Sequence, residues 1–134
     1  MKRDFGEIEG RGVEEVVLRS ASGAEASIIT YGAIVRDLRI PAAHGLQRVV
    51  AGLTSLEDYV AHSPYFGAIA GRYANRISGG RFVLDATAHQ LSLNERGRHT
   101  LHGGEHGLSK RVWQLAAWDE TSAALVHVSP NGDC

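Results

Sequence analysis

Short strand-forming stretches separated by turn residues are the feature that most constrains the fold of this chain. A Ser-Ala-Ser-Gly turn at residues 20–23 separates the first two stretches, and residues 41–45 interrupt the pattern before it resumes. Short strands at this spacing are typical of antiparallel β proteins. We therefore predict a mostly β fold, with early strands over residues 14–19, 25–30, 33–40 and 48–53.

One helix is predicted to interrupt these strands. Thr54 can cap its first turn while Glu57, three residues later, completes a capping box, and the helix should end before Pro64. The apolar run that follows, residues 65–70, predicts a strand buried on both faces. Gly67 within this run indicates that a backbone or a ligand approaches closely.

The second half of the chain predicts two further strand pairs. The first is a hairpin of residues 81–84 and 89–93, and the second pairs residues 111–118 with residues 123–129. No linker or internal repeat divides the sequence, so residues 1–134 are expected to form a single domain.

Charge and cysteine content limit the possible partners and compartments. The 14 basic and 15 acidic residues give a net charge of -1, which argues against a nucleic-acid or anionic-membrane partner and favours a neutral ligand. Cys134 is the only cysteine, so no intrachain disulfide can form. The N-terminus lacks the apolar run of a secretory signal, and no stretch has the roughly 18 apolar residues of a membrane helix. A cytoplasmic location is expected.

Two stretches combine glycines with polar side chains suited to ligand binding. Residues 64–81, PYFGAIAGRYANRISGGR, place Asn75 and Arg76 among glycines, and residues 99–104, HTLHGG, place two histidines beside a glycine pair. Arginine supplies fixed charge and forked donors, and glycine lets the backbone approach other groups. The two stretches are predicted to form the halves of one polar pocket, on which Arg76 and His102 converge.

These motifs resemble the N-terminal part of aldose 1-epimerases (galactose mutarotases). The resemblance rests on PYFGAIAGRYANRISGGRF, LHGG and GLSKRVWQL, preceded in the same order by TYGAIVRDLRIP and VVAGLTSLEDY. It implies an all-β fold, the N-terminal part of a galactose-mutarotase-like β-sandwich with one short helix. Members are roughly twice this length or more, so the chain is expected to be truncated. They usually have Asp-Gly at the hairpin turn, so Ala86 implies either a different turn type or strain.

By resemblance, Asn75 and Arg76 correspond to the family's sugar-binding pair, and His102 to a histidine that hydrogen-bonds the sugar near the reacting centre. Alternatively, Arg76 pairs with an acidic neighbour at the surface and His102 is a hydrogen-bonded core histidine. Arg72 is assigned a structural role.

Other aromatic and imidazole groups are given structural interpretations. The spacing of His99, His102 and His106 invites a zinc interpretation, but the loop has no cysteine and mutarotation needs no metal. No metal or other cofactor is expected. Trp113 and Trp118, a possible sugar-stacking platform, are interpreted as core packing instead.

The implied reaction is interconversion of the α and β anomers of an aldohexose such as glucose or galactose. The resemblance places the family's acid histidine and base glutamate beyond Cys134, so no catalytic residue is assigned and the chain alone is expected to be inactive. A non-catalytic carbohydrate-binding module is the alternative. The oligomeric state and sugar preference remain open.

Overall fold

The computed structural model of the protein describes residues 1–62 and 65–133. Its first half is a five-stranded antiparallel sheet in which each strand pairs with its neighbours in sequence. The strands are β1 (Lys2–Ile8), β2 (Arg11–Arg19), β3 (Glu25–Ile29), β4 (Ile34–Ala42) and β5 (Gly45–Arg48).

Several boundaries of this sheet differ from the sequence prediction: β2 begins three residues earlier, and β4 and β5 extend into the predicted break at residues 41–45. β1 was not predicted, because its sequence KRDFGEI lacks regular alternation of polar and apolar residues. The predicted strand over residues 48–53 is wrong beyond Arg48. Val49 still donates its backbone N–H to the carbonyl of Leu38 at 2.9 Å. After it the chain leaves the sheet and packs Gly52 against β4, where a Cβ would lie 1.8 Å from the Arg36 carbonyl oxygen.

The helix α1 spans Leu56–His62 and is capped one residue later than predicted. Ser55 Oγ accepts the backbone N–H of Asp58 at 3.2 Å and donates to the Asp58 carboxylate at 2.9 Å. The predicted capping box of Thr54 and Glu57 is therefore wrong. The prediction that the helix ends before Pro64 concerns a residue outside those described.

The helix covers one face of the sheet and closes the core. No helix among residues 1–62 and 65–133 has the length and apolar character needed to cross a bilayer. The core side chains come from β2, β3, the connection between β3 and β4, the start of β4 and the helix. Burial of these apolar side chains is the main stabilising contribution in this half. The buried cluster contains Val13, Ile29, Tyr31, Ile34, Leu56 and Tyr59.

Residues 65–70 do not form the predicted buried strand. Phe66 and Ile69 are 43% and 44% exposed, and the segment is irregular. It binds the sheet through isolated hydrogen bonds, from Val35 N to the Gly67 carbonyl at 2.9 Å and from Ile69 N to the Gly32 carbonyl at 3.1 Å. The predicted close approach at Gly67 is confirmed, since a Cβ there would lie 2.2 Å from the Val35 carbonyl oxygen.

The second half, residues 65–133, contains three separate two-stranded ladders and a short 3₁₀ helix, Leu108–Lys110. The predicted hairpin is present, but its second strand begins two residues earlier and ends three earlier than predicted. The ladders pair β6 (Arg76–Ser78) with β9 (His99–Leu101), β7 (Arg81–Leu84) with β8 (Thr87–Gln90), and β10 (Gln114–Trp118) with β11 (Ala123–Val126).

The last ladder confirms a strand pair near the predicted position, but not the burial of both tryptophans. Trp113 is half-buried and donates its indole N–H to the Leu108 carbonyl at 3.0 Å. Trp118 is 43% exposed, so its interpretation as core packing is wrong. A backbone hydrogen bond from Asp133 N to the Pro130 carbonyl, 3.2 Å, closes a turn at residues 130–133.

Candidate functional site

The pairing of β6 with β9 brings the two polar stretches together. Arg76 lies opposite Leu101 in this ladder. Just beyond it, His102 N donates to the Asn75 carbonyl at 3.0 Å, and Asn75 N donates to His102 Nδ1, also at 3.0 Å. Asn75 and His102 both have positive φ, 66° and 51°, so the two chains turn away from the ladder at this point. Asn75, Arg76 and His102 thus form one connected group, which we call the Asn-Arg-His group.

Arg76 is held by an acidic side chain that the sequence did not single out. Its Nε donates to Glu95 Oε2, its terminal nitrogen NH2 donates to Glu95 Oε1, and NH1 donates to Asn75 Oδ1 at 3.2 Å. The hydrogen bonds and charge of Arg76 hold the pKa of the Glu95 carboxyl below its usual value. The alternative of an acidic partner for Arg76 is therefore observed. The arginine side chain nevertheless remains 53% exposed.

The position of Glu95 follows from its neighbour Asn94. The Asn94 side chain accepts the Leu101 backbone N–H at 2.8 Å and donates to the Leu101 carbonyl at 2.9 Å. These two bonds fix the loop before β9 and place the next residue beside Arg76. An acidic residue just before β9 was the only sequence signal for this contact, and nothing local indicated its partner.

The His102 ring has a defined orientation. It packs against Tyr65 with ring centroids 4.8 Å apart, and its Nδ1 is the acceptor for the Asn75 N–H. A neutral imidazole whose Nδ1 accepts a hydrogen bond carries its proton on Nε2. Nε2 makes no hydrogen bond to the described residues. His102 can therefore present an Nε2–H donor to a ligand oxygen.

Glycines of the LHGG motif are required by close packing of the site loop. Gly103 has φ 88°, and a Cβ on it would lie 1.8 Å from the Gly71 carbonyl oxygen. That same oxygen accepts the backbone N–H of Leu108 at 3.0 Å. Any larger residue at position 103 would separate the loop that follows His102 from the segment that precedes Asn75.

A cavity of about 420 Å³ lies beside the Asn-Arg-His group. Of the three residues, Arg76 lines it, whereas Asn75 and His102 do not. Backbone pairing thus brings the segments of Arg76 and His102 together, while the convergence of the two side chains on one cavity stays a prediction. Much of the wall is apolar and comes from Ile77, Phe82, Leu91 and Leu108.

Arg72 acts on the chain itself, in keeping with the structural role assigned to it. It donates to Ser129 Oγ at 3.1 Å through Nε, and through NH2 to the carbonyls of Ser129 and Pro130 at 3.0 and 2.6 Å. These bonds hold residues 129–130 against the segment that leads into the site.

The other two histidines of the loop have separate surroundings. His99 Nδ1 accepts the Gly79 N–H at 3.4 Å, whereas the backbone carbonyl of His106 accepts Arg111 Nε at 3.0 Å. Within residues 1–62 and 65–133, no group of three or more His, Cys, Asp or Glu side chains could hold a metal ion.

The sequence model of the family described as Aldose 1-epimerase matches residues 14–133. The chain belongs to this family. The match extends from within β2 to beyond β11 and includes every residue of the Asn-Arg-His group.

Curated relatives agree with this assignment. Over 132 residues the chain is 37% identical to the galactose mutarotase of Rattus norvegicus, covering 96% of this chain and 38% of the relative. It is 40% identical over 114 residues to a probable aldose 1-epimerase of Arthroderma benhamiae, covering 81% of this chain and 26% of that protein. The chain thus spans about a third of the length of these relatives.

Solved structures confirm the galactose-mutarotase-like fold. An aldose epimerase homologue from C. elegans superposes with a TM-score of 0.78 at 26% identity, over 83% of this chain and 34% of the other. A galactose 1-epimerase from Lactobacillus acidophilus gives 0.73 at 25% identity, over 92% and 36%. The predicted family and the mostly antiparallel fold with one short helix are both confirmed.

Proposed function

We propose that this chain is the sugar-positioning part of an aldose 1-epimerase that interconverts the α and β anomers of a hexose such as glucose or galactose. The observation that carries the proposal is the Asn-Arg-His group. A charged guanidinium and an oriented imidazole lie within one hydrogen-bonded unit, on a chain of this family. The substrate is a neutral aldohexose, the expected location is the cytoplasm, and no cofactor is invoked.

Each member of the group can contact a sugar oxygen in a different way. Half-exposed Arg76 can donate to a hydroxyl and stabilise negative charge that develops on an oxygen as the ring opens. His102 can donate through Nε2, since Nδ1 is occupied by the Asn75 N–H. The Asn75 Oδ1 accepts from Arg76, so its amide NH₂ is the part that can reach a ligand.

Proton transfer requires groups besides these three. Mutarotation needs a base for the anomeric hydroxyl proton and an acid for the ring oxygen, so that the ring opens, rotates and closes on its other face. Glu95 is a poor base because Arg76 holds the pKa of its carboxyl low. We propose that the acid histidine and the base glutamate come from sequence outside this chain, as the resemblance implies.

Polarimetry on freshly dissolved α-glucose tests the proposal. We expect the 134-residue chain to leave the buffer rate unchanged, and a longer polypeptide that includes the remaining part of a family member to accelerate it. In that longer form, Arg76→Ala should lower turnover far more than stability. Arg81→Ala is the matched control, because Arg81 is an exposed arginine that bonds Gln90 outside the group. Equal turnover rates for Arg76→Ala and Arg81→Ala would show that Arg76 does not act on the sugar.

A carbohydrate-binding module is the second candidate, favoured by one observation. Glu95 neutralises Arg76, so the group can hold sugar hydroxyls without supplying a matched acid and base. Saturable sugar binding in a longer polypeptide that shows no turnover would favour this function over the enzyme.

A further inference from the structure

We propose that the polar end of the five-stranded sheet binds a phosphate group, as free phosphate or as a phosphate monoester of a small molecule. The site is a cavity of about 260 Å³ whose lining includes four arginines, Arg3, Arg19, Arg36 and Arg39, and the carboxylates of Glu25 and Asp37. Val17 and Ser27 form its base. It shares no lining residue with the Asn-Arg-His group, so the proposal does not rest on the proposed function.

Strand register explains why a depression forms here. Arg19, Glu25 and Arg39 lie side by side across β2, β3 and β4. Two residues along the same face, the smaller side chains of Val17 and Ser27 lie opposite each other. The long side chains thus surround the two shorter ones, which leaves a depression between them. Their spacing is fixed by the strand register rather than by a flexible loop.

Arg3 and Arg36 form the opposite wall by way of a buried carboxylate. Glu15 is completely buried and accepts hydrogen bonds from Arg3 and from Arg36, the latter at 2.6 Å. β3 and β4 shift register between Ser27 and Ile28, and this irregularity lets both Arg36 and Asp37 reach the polar face. The buried Glu15 carboxylate, which accepts hydrogen bonds from both arginines, thus holds them on this side of the cavity.

Three of the arginines keep unused donors. Arg19 Nε donates to Glu25 at 2.9 Å, Arg39 Nε donates to Asp37 at 2.9 Å, and Arg3 Nε donates to Glu15. Their terminal NH₂ groups make no hydrogen bond to the described residues, and the side chains are 60%, 44% and 53% exposed. Ser27 Oγ, at the base of the cavity, is likewise without a partner in residues 1–62 and 65–133. Forked guanidinium donors match the geometry of phosphate oxygens.

Charge selects the ligand class. With Arg48, which also bonds Asp37, this part of the sheet holds five arginines against the three carboxylates of Glu15, Glu25 and Asp37. The excess of two positive charges stands out on a chain whose net charge is -1. It matches the charge of a phosphate monoester, which approaches -2 at neutral pH.

The test is an NMR titration of the 134-residue chain with inorganic phosphate, then with a hexose phosphate, at constant ionic strength. The unphosphorylated hexose is the ligand control. We expect saturable shifts of the Val17 and Ser27 amides with both phosphates. Tighter binding of the ester would identify the monoester as the source, and equal binding would identify the phosphate group alone.

Variants decide whether the arginines bind the ligand. Arg39→Gln and Arg19→Gln should each weaken binding at least about tenfold, since each removes a charged donor. Arg81→Gln, outside the cavity, should not change it. Ser27→Asp adds a negative charge to the base of the cavity without breaking an ion pair, and should also abolish the shifts in a chain whose thermal unfolding shows that it is folded. Absence of saturable shifts, or equal weakening by Arg81→Gln, would overturn the proposal.

Discussion

The two halves of this molecule are organised differently. In residues 1–62 all five strands join one sheet and the helix closes its apolar face, so that Val13 and Ile29 are completely buried. In residues 65–133 the strands pair only two by two, and all eight strand residues of the β7–β8 hairpin are exposed. The candidate sugar site lies in this second half.

The buried core and the candidate site lie in different halves of the chain. The first half pairs its five strands with one another and buries its core mainly among its own side chains, with Ala68 and Val112 of the second half packed against that core. The second half leaves large apolar side chains in water, including Val83 at 70% and Leu84 at 59% exposure. Exposed apolar patches and unpaired strand edges favour association with further protein surface. The site residues are therefore positioned by hydrogen bonds, whereas the first half is stabilised by burial.

The largest expected effect is the removal of the buried carboxylate of the first half. Glu15→Ala should lower the free energy of unfolding by about 3 to 5 kcal/mol, because it leaves the Arg36 guanidinium, only 14% exposed, without its charge partner. Glu25→Ala, which breaks the more exposed pair with Arg19, should cost at most about 1 kcal/mol. Urea unfolding of both variants measures the difference. Equal losses would show that Glu15 is no more important than a surface charge.

A second pair of variants compares apolar burial in the two halves directly. Ile29→Ala should cost about 3 kcal/mol, because Ile29 is fully buried and the cavity left behind cannot be refilled. Val83→Ala should change stability by less than about 0.5 kcal/mol. The same denaturation experiment reports both values. A large loss for Val83→Ala would mean that the hairpin is covered in solution, and the contrast between the halves would fail.

The hairpin turn predicts a smaller effect with the opposite sign. Asp85 and Ala86 have φ of 47° and 60°, so both occupy the left-handed region that a two-residue hairpin turn requires. Of the two alternatives left open by the sequence, strain is therefore the one observed. Ala86→Gly should stabilise the hairpin by about 1 kcal/mol, because glycine adopts this conformation without steric cost.

The control for this variant is Ala88→Gly, which places glycine within β8. It should destabilise the hairpin by about 0.5 to 1 kcal/mol, since glycine loses more conformational freedom in a strand. Hydrogen exchange of the β7 and β8 amides measures both variants. Slower exchange in Ala88→Gly than in Ala86→Gly would contradict the assigned turn.

The smallest effect is a pH dependence of the first half. Burial acts to raise the pKa of Asp37, but the hydrogen bonds and charges of Arg48 and Arg39 outweigh it and hold the pKa below the usual 3.8. The ionised Asp37 carboxylate therefore stabilises the folded state fully at pH values above its unfolded-state pKa. This stabilisation is lost as pH falls through the lower folded-state pKa. Asp37→Asn should flatten the fall in melting temperature below about pH 5. The effect is small because both arginines are about half-exposed to water. If the melting temperature of Asp37→Asn falls as steeply with decreasing pH as that of the unmodified chain, this role of Asp37 is contradicted.

The sequence predicted local patterns better than long-range contacts. The turn-separated strands of the first half and the family motifs led to the fold and to the expectation that the two polar stretches lie side by side. The run at residues 65–70 was misinterpreted, because its apolar residues pack irregularly beside β4 and periodicity cannot show that. The helix cap was missed by one residue, since Thr54 and Ser55 are both good capping residues. Glu95 was not predicted, because its partner Arg76 lies 19 residues away.

One titration tests the central claim that the Asn-Arg-His group positions a sugar. Amide shifts of the 134-residue chain are followed by NMR as galactose is added, with Arg76→Ala and Arg81→Ala as site and control variants. We predict saturable shifts at Asn75 and His102, whose backbone and ring are joined by two hydrogen bonds, lost in Arg76→Ala and retained in Arg81→Ala. Shifts that are absent, or that persist unchanged in Arg76→Ala, would contradict the account.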